Sequence, residues 1–276
     1  MSLVSSLEFL EVHGRRVPRL GLGTFQLTGT RCREAVATAL DLGYRHIDTA
    51  EAYGNEREIG AAIVAAGVPR DELFLTTKIW WENLSAEQVS DHLAGSLERL
   101  QTDRVDLLLI HWPNTELPLE EPLVTMQRLQ DEGRVGLVGV SNFPPRLLEQ
   151  AVARAPIACN QVEYHPFLAQ DELLALARRH GHALTAYCPL ARNAVADDPV
   201  IAGIAAEHGC TPAQVTLRWL LQQDPVVATP KASSRQHLAE NRGAFAVELS
   251  GVEMDAIAGR ARGQRLVDPE FAPRWE

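Results

Sequence analysis

Val105-Asp-Leu-Leu-Leu-Ile-His111 is apolar on both of its alternating faces and ends on a histidine. A short run of this kind reads as a strand covered on both sides, as in a parallel sheet flanked by helices. Seven further runs share the pattern: Arg19 to Gly23, Tyr44 to Asp48, Leu73 to Ile79, Val135 to Val140, Ile157 to Gln161, Ala183 to Cys188 and Val226 to Thr229. Segments of helical period separate them, one opening on the capping-box pattern Ser85-Ala-Glu-Gln88 and running to about Leu100. Asp198 to Gln223 holds two helices, because Gly209-Cys-Thr-Pro212 supplies a stop, a cap at Thr211 and a proline at the first helical position. Ahead of the repeat, Leu7 to Val12 and Arg15 to Pro18 flank the turn His13-Gly14 and predict a hairpin. The sequence therefore predicts an α/β chain, a (β/α)8 TIM barrel with an N-terminal β-hairpin and extra C-terminal helices. Residues 1–276 are read as one domain, since no linker divides them.

Composition narrows the function. With 46% hydrophobic and 22% charged residues the chain is an ordinary globular one. Lys and Arg number 26 against 36 Asp and Glu, a net charge of −10 that argues against nucleic acid as a partner. Cys32, Cys159, Cys188 and Cys210 form no CxxC pair, so neither a metal site nor a disulfide framework is read from them. No apolar run approaches the ~18 residues of a membrane span, and Met1 to Gly14 lacks a basic leader. A cytoplasmic protein with no membrane partner is expected. No coiled-coil heptad or long exposed edge is present, which is compatible with a monomer but does not decide the oligomeric state.

In a βα barrel the polar residues that close each apolar run gather on one rim, where the chemistry of such folds is built. Here they are Asp48, followed by Thr49-Ala-Glu-Ala-Tyr53-Gly-Asn-Glu56; Lys78; His111; Ser141-Asn142; and Asn160-Gln161. Each has an ordinary structural explanation, as a cap, a packed ring, a solvated strand end or a core histidine. Convergence on adjacent strand ends favours chemistry. Reducing a carbonyl by hydride leaves an alkoxide that needs a proton, and Tyr53 is the candidate acid. An ammonium at Lys78 is expected to lower the phenol's pKa from its usual ~10, and Asp48 to keep Lys78 charged and placed. A neutral His111 then suffices to orient the carbonyl oxygen. Two other classes fit the same residues: a Schiff-base aldolase with Lys78 as nucleophile, and a cofactor-sensing binding subunit.

The motifs Gly21-Leu-Gly-Thr-Phe25, Asp48-Thr-Ala-Glu-Ala-Tyr-Gly-Asn-Glu56, Thr77-Lys-Ile-Trp80, Ile110-His-Trp-Pro113, Gly139-Val-Ser-Asn-Phe143, Asn160-Gln-Val-Glu163 and Pro230-Lys231 occur in one order over nearly the whole chain. Together they resemble the aldo-keto reductases. The short loop after His111, the segment Lys78 to Ser85 and the ending Arg265-Leu-Val-Asp-Pro-Glu look most like the bacterial 2,5-diketo-D-gluconate reductases within that family. The resemblance implies an NADPH-dependent carbonyl reductase with the tetrad Asp48, Tyr53, Lys78 and His111. It also implies that Ser141, Asn142 and Gln161 bind the nicotinamide carboxamide and that Tyr187 stacks on its ring. Gly23, Thr24 and Asp48 are expected beside the cofactor, Pro189, Leu190 and Arg192 at its pyrophosphate, and Lys231, Ala232, His237, Glu240 and Asn241 at its adenosine end. Phe25, Trp80, Trp112 and Trp275 are placed around a small carbonyl substrate, while Trp81 is read as packing. Gly21-Leu-Gly23 lacks the third glycine of a Rossmann fingerprint, so the cofactor is expected to lie extended across the barrel mouth.

One departure bears on cofactor choice. Where the family commonly offers the 2′-phosphate of NADPH a serine after the lysine and an arginine six residues beyond it, this chain has Ala232 and His237. A hydroxyl is lost, and a histidine carries less charge at neutral pH than an arginine does. Lys231 remains, with Arg235 as a compensating charge. NADPH is therefore expected to be preferred only modestly, with NADH measurably used.

Overall fold

The computed structural model describes residues 8–275. Its first strands, β1 (Phe9–Val12) and β2 (Arg15–Pro18), pair antiparallel as the predicted hairpin. His13 and Gly14 take φ of 47° and 75°, the left-handed pair that a tight primed turn requires. Leu7, included in the expected hairpin, lies outside the described residues.

Eight parallel strands follow in spatial order: β3 (Leu22–Gly23), β4 (His46–Asp48), β5 (Phe74–Ile79), β6 (Val105–Ile110), β7 (Val135–Ser141), β8 (Cys159–Glu163), β9 (Ala183–Tyr187) and β10 (Val226–Ala228). A parallel bridge between Leu20 and Ala228 joins the last to the first, with Gly21 N donating to Ala228 O at 2.9 Å and Ala228 N to Arg19 O at 2.8 Å. The sheet is thus a closed barrel without edges. Gly23 sits at this seam, where a Cβ would lie 2.5 Å from the carbonyl oxygen of Thr229; only glycine allows so close an approach.

Around the sheet lie α1 (Gly29–Asp41), α2 (Glu56–Ala66), α3 (Ala86–Leu100), α4 (Glu120–Asp131), α5 (Pro145–Val152), α6 (Asp171–His180), α7 (Pro199–Glu207), α8 (Pro212–Leu221), α9 (Arg235–Gly243) and α10 (Gly251–Ala258). Helix α3 opens on the Ser85 capping box and α8 on one at Thr211 with Pro212 behind it, as the sequence predicts. Strand β8 begins two residues later than predicted. Ile157 N turns back to the Ala155 carbonyl at 2.8 Å and gives nothing to the sheet, and the first bond to β7 is from Ala158 N to Val138 O at 2.8 Å. Among the described residues no helix is long and apolar enough to cross a membrane.

Alternation along the strands divides the apolar residues into two layers. Leu75, Ile79, Leu108 and Ile110 face the helices, whereas Phe74, Leu107, Leu109, Leu137, Cys159 and Val227 fill the barrel. Val12 and Val17 of the hairpin join that inner cluster and close the barrel's amino end. The same period-two register that turns Phe74 and Leu109 inward turns Lys78 and His111 inward at the other end.

Candidate active site

Asp48 ends β4, Lys78 lies one residue before the end of β5 and His111 follows β6, so three neighbouring strands deliver their last inward-facing side chains to one point. Lys78 is fully buried, and its Nζ donates to Asp48 Oδ1 at 2.6 Å, to the Thr49 carbonyl at 2.8 Å and to Tyr53 Oη at 3.5 Å. The other Asp48 oxygen accepts from Gln161 Nε2 at 2.7 Å. Tyr53 reaches the cluster from the single helical turn Glu51–Tyr53 after β4, and its ring meets that of His111 edge-on at 5.5 Å.

That turn is fixed from outside. Glu51 Oε1 accepts from Trp80 N at 2.7 Å, and Glu51 Oε2 pairs with His92 Nδ1 of α3 at 2.6 Å. The rest of the motif is scaffolding. Asn55 accepts from Thr49 Oγ1 and donates to the carbonyls of Thr24 and Leu27. Glu56 accepts from Thr77 Oγ1 at 2.6 Å and from Arg99 Nε at 2.8 Å.

Burial and charge set the protonation states. Desolvation alone would lower the Lys78 pKa, but Asp48 and Tyr53 hold it above the usual lysine range, so the ammonium persists. Burial pushes the Tyr53 phenol up; Lys78 pulls it down by charge and hydrogen bond, without cancelling the effect of burial. The expected net lowering of Tyr53 is therefore not found, because loss of hydration outweighs one ammonium at 3.5 Å. Burial and the Lys78 charge push His111 well below the ordinary histidine value, leaving a neutral imidazole. The cluster thus combines a protonated phenol, a charged lysine and a neutral imidazole around one opening.

Next to it, Ser141 Oγ donates to the Gln161 carbonyl at 2.8 Å. Asn142, held at φ 62°, donates to the His111 carbonyl and accepts from Tyr187 Oη at 2.7 Å. These residues line a strip of amide and hydroxyl groups ending at a tyrosine ring, a chemistry suited to a flat carboxamide. Asn241 lies on α9, and its buried Nδ2 has no hydrogen-bond partner. Lys231 and His237 are exposed just before and within the first turn of the same helix, with Ala232 buried between them and Glu240 one turn on. The residues present fit a dinucleotide stretched from β7 to α9.

Three expected contacts stand differently. The Thr24 hydroxyl donates to the Asp48 carbonyl at 2.9 Å, which makes it a tie between β3 and β4. Arg235 is paired with Asp41 at 2.7 Å. Arg192, in the loop with Pro189 and Leu190 after β9, donates to the Leu266 carbonyl at 2.9 Å.

Aromatic rings wall the opening. Phe25 lies 5.1 Å from Tyr53, Trp80 lies 5.3 Å from His111, and Trp112 meets Trp275 at 6.2 Å. The C-terminal tail supplies Phe271, which the sequence reading missed; it contacts Trp80 at 5.3 Å and Trp112 at 5.5 Å and stacks on Trp81 at 5.2 Å. Trp81, expected as plain packing, therefore backs the wall. No signal short of the tail's path identifies Phe271, since one aromatic among prolines has no period. Glu163, also missed, anchors that path by accepting from Leu266 N at 2.8 Å and Val267 N at 2.9 Å. A separate cavity of ≈ 330 Å³ between Leu84, Pro122, Phe143 and Leu147 contains none of the tetrad.

A closed (β/α)8 barrel whose carboxyl rim joins a buried Asp–Lys–Tyr network to a histidine and an aromatic mouth defines a class of barrel oxidoreductases. The model of the Aldo/keto reductase family matches residues 19–261, and the chain belongs to that family. It is similar to the methylglyoxal reductase DkgB of Escherichia coli O157:H7, at 44% identity over 94% of this chain and 99% of that protein. An aldo-keto reductase of Mycolicibacterium smegmatis is 42% identical over 92% of this chain and 93% of its own. Among solved structures, a putative 2,5-diketo-D-gluconic acid reductase B superposes with TM-score 0.96 at 41% identity, covering 99% of both chains. The Bombyx mori aldo-keto reductase in complex with NADP gives 0.88 at 30% identity, over 96% of this chain and 98% of that one.

Proposed function

We propose that this chain reduces small aldehydes, α-dicarbonyls and keto sugars to alcohols with NADPH, using NADH less efficiently. The observation that carries the reading is the buried contact of Tyr53 Oη with the Lys78 ammonium, itself held by Asp48 at 2.6 Å. When bound, the nicotinamide supplies a hydride to the carbonyl carbon. Tyr53 donates its proton to the oxygen that becomes an alkoxide, and Lys78 stabilises the resulting phenolate. His111, neutral, donates a hydrogen bond that aims the carbonyl. Asp48 neutralises Lys78 and fixes it, and Gln161 holds the second Asp48 oxygen. Ser141, Asn142 and Gln161 are assigned to the carboxamide, Tyr187 to the face of the ring, and Lys231 with His237 to the 2′-phosphate.

Relatives named for methylglyoxal and 2,5-diketo-D-gluconic acid support the substrate classes, and the NADP complex supports the cofactor. The Schiff-base alternative is disfavoured because Lys78 Nζ is a fully hydrogen-bonded ammonium beside a carboxylate, whereas a nucleophilic amine must be neutral. The test is NADPH oxidation against methylglyoxal, 2,5-diketo-D-gluconate and substituted benzaldehydes. Turnover with at least one class is expected, and none with any of them overturns the reading.

A further inference from the structure

One carboxylate joins three elements at the barrel mouth. Glu51 stands two residues before Tyr53 on the turn after β4, and its side chain is only 8% exposed. Its Oε1 accepts from Trp80 N at 2.7 Å and from Asn83 Nδ2 at 3.3 Å, both in the loop between β5 and α3. Its Oε2 accepts from His92 Nδ1 of α3 at 2.6 Å. A carboxylate only accepts, so Nδ1 carries the proton in this pair. Strand β4 pairs with β5 only as far as Asp48 with Thr76. Trp80 N therefore lies beyond that ladder and takes the Glu51 oxygen in place of a strand carbonyl.

The loop held in this way carries the aromatic wall. The Trp80 ring lies 5.3 Å from His111 and 5.3 Å from Phe271, and the Trp81 carbonyl accepts from Asn114 Nδ2 at 3.1 Å. Tyr53 has supports of its own: Lys78 Nζ at 3.5 Å, the rings of Phe25 and His111, and Asn55 two residues on, which donates to the carbonyls of Thr24 and Leu27. Loss of the Glu51 carboxylate therefore falls on the wall and spares the proton donor.

We propose that Glu51, oriented by His92, is a positioning residue for substrate choice: through Trp80 it sets the breadth of the mouth, and with it the preference for aromatic aldehydes over small dicarbonyls. An aromatic ring on the carbonyl carbon has more area to rest on the indole than the methyl group of methylglyoxal, so a displaced wall weighs more on the aromatic substrate. The proposal rests on the reductase reading and adds a residue that governs its selectivity.

The test compares 4-nitrobenzaldehyde with methylglyoxal by steady-state kinetics with NADPH. Glu51→Ala should raise KM for the aromatic aldehyde about tenfold, the scale of a charge-assisted hydrogen bond. Its kcat, and both constants for methylglyoxal, should stay within about threefold of wild type, the pattern of lost binding with the chemistry intact. Glu51→Gln keeps an oxygen for Trp80 N and can donate to His92 Nδ1 once the imidazole takes its other tautomer, so it should restore most of the aromatic KM. His92→Leu removes only the outer hold and should fall between Glu51→Ala and wild type. The NADPH dissociation constant, read from cofactor fluorescence, should be unchanged in all three. Trp80→Ala removes the ring through which Glu51 acts, so adding Glu51→Ala to it should raise the aromatic KM no further. A general loosening of the fold would instead depress both substrates alike and add to the effect of Trp80→Ala. Equal losses for the two aldehydes, a selectivity unmoved by Glu51→Ala, or additivity with Trp80→Ala overturns the assignment. Should Glu51→Ala fail to fold, His92→Leu with Trp80→Ala completes the same cycle with the same readings. If both aldehydes are reduced and the selectivity does not move, only the positioning role fails; if the wild type reduces neither, the reductase reading fails with it.

Discussion

The two ends of this barrel are built on one register and filled with opposite chemistry. At the amino end Phe74, Leu107, Leu137 and Val227 are sealed beneath Val12 and Val17. At the carboxyl end the same sheet buries Asp48, Lys78, Ser141, Gln161 and Glu163. The apolar end contributes hydrophobic stability with no demand on geometry beyond packing. The polar end contributes little net stability, because desolvating a lysine and an aspartate offsets their attraction. What distinguishes it is the set of protonation states that the proposed chemistry uses. The difference implies that substitutions at the two ends should separate activity from stability.

The largest expected effect is at the carboxyl end. Tyr53→Phe removes only an oxygen, so the fold and cofactor affinity should survive while kcat falls at least ~100-fold. A variant keeping more than about a tenth of wild-type kcat would remove Tyr53 as the donor. The raised phenol pKa adds a pH signature. A proton donor whose pKa lies above the ~10 of a free phenol stays protonated through the neutral and mildly alkaline range. The alkaline limb of kcat/KM should therefore begin above that value, and a limb near neutrality would contradict it.

Lys78→Met should cripple reduction as well, and here the two ends begin to mix. Removing the ammonium leaves Asp48 buried without its counter-charge, which costs about 3–5 kcal/mol. Urea denaturation should show that loss, whereas Lys78→Met with Asp48→Asn should recover part of it without restoring turnover. Recovery of turnover would mean that the ammonium acts only in folding.

At the amino end the ranking should reverse. Leu107→Ala opens a cavity in the closed cluster and should cost about 2–5 kcal/mol of stability. Turnover per folded molecule should stay near wild type, since no residue of that cluster reaches the tetrad by a hydrogen bond. A fall in kcat comparable to that of Lys78→Met would show that the two ends are coupled.

This division also explains what was legible in the sequence. Lys78 and His111 sit at the ends of strong apolar runs, so strand period alone points them at the rim. Tyr53 needed its motif, because a single turn after Asp48 has no period of its own. Phe271 was out of reach as a wall residue. It lies on a tail without regular structure, whose course depends on Glu163 holding two distant backbone amides. The net pKa of Tyr53 was misjudged because a neighbour's charge can be read from a motif, whereas the depth of burial cannot.

The smallest predicted effect isolates the plug. Gly14 has φ 75° and open space where a Cβ would stand, so Gly14→Ala meets no steric neighbour and pays only for a left-handed backbone. That is about 1–2 kcal/mol, or a lowering of Tm by a few degrees, ~2–4 °C per kcal/mol for a chain of this size. The strands on either side remain paired from Phe9 with Pro18 to Val12 with Arg15, so Val12 and Val17 keep their places over the barrel. Kinetic constants with NADPH and the preferred aldehyde should be unchanged within error. Calorimetry and steady-state kinetics on one preparation decide it. A loss well above that of Leu107→Ala would mean that the hairpin turn organises the barrel, and a changed KM would mean that the amino end communicates with the mouth.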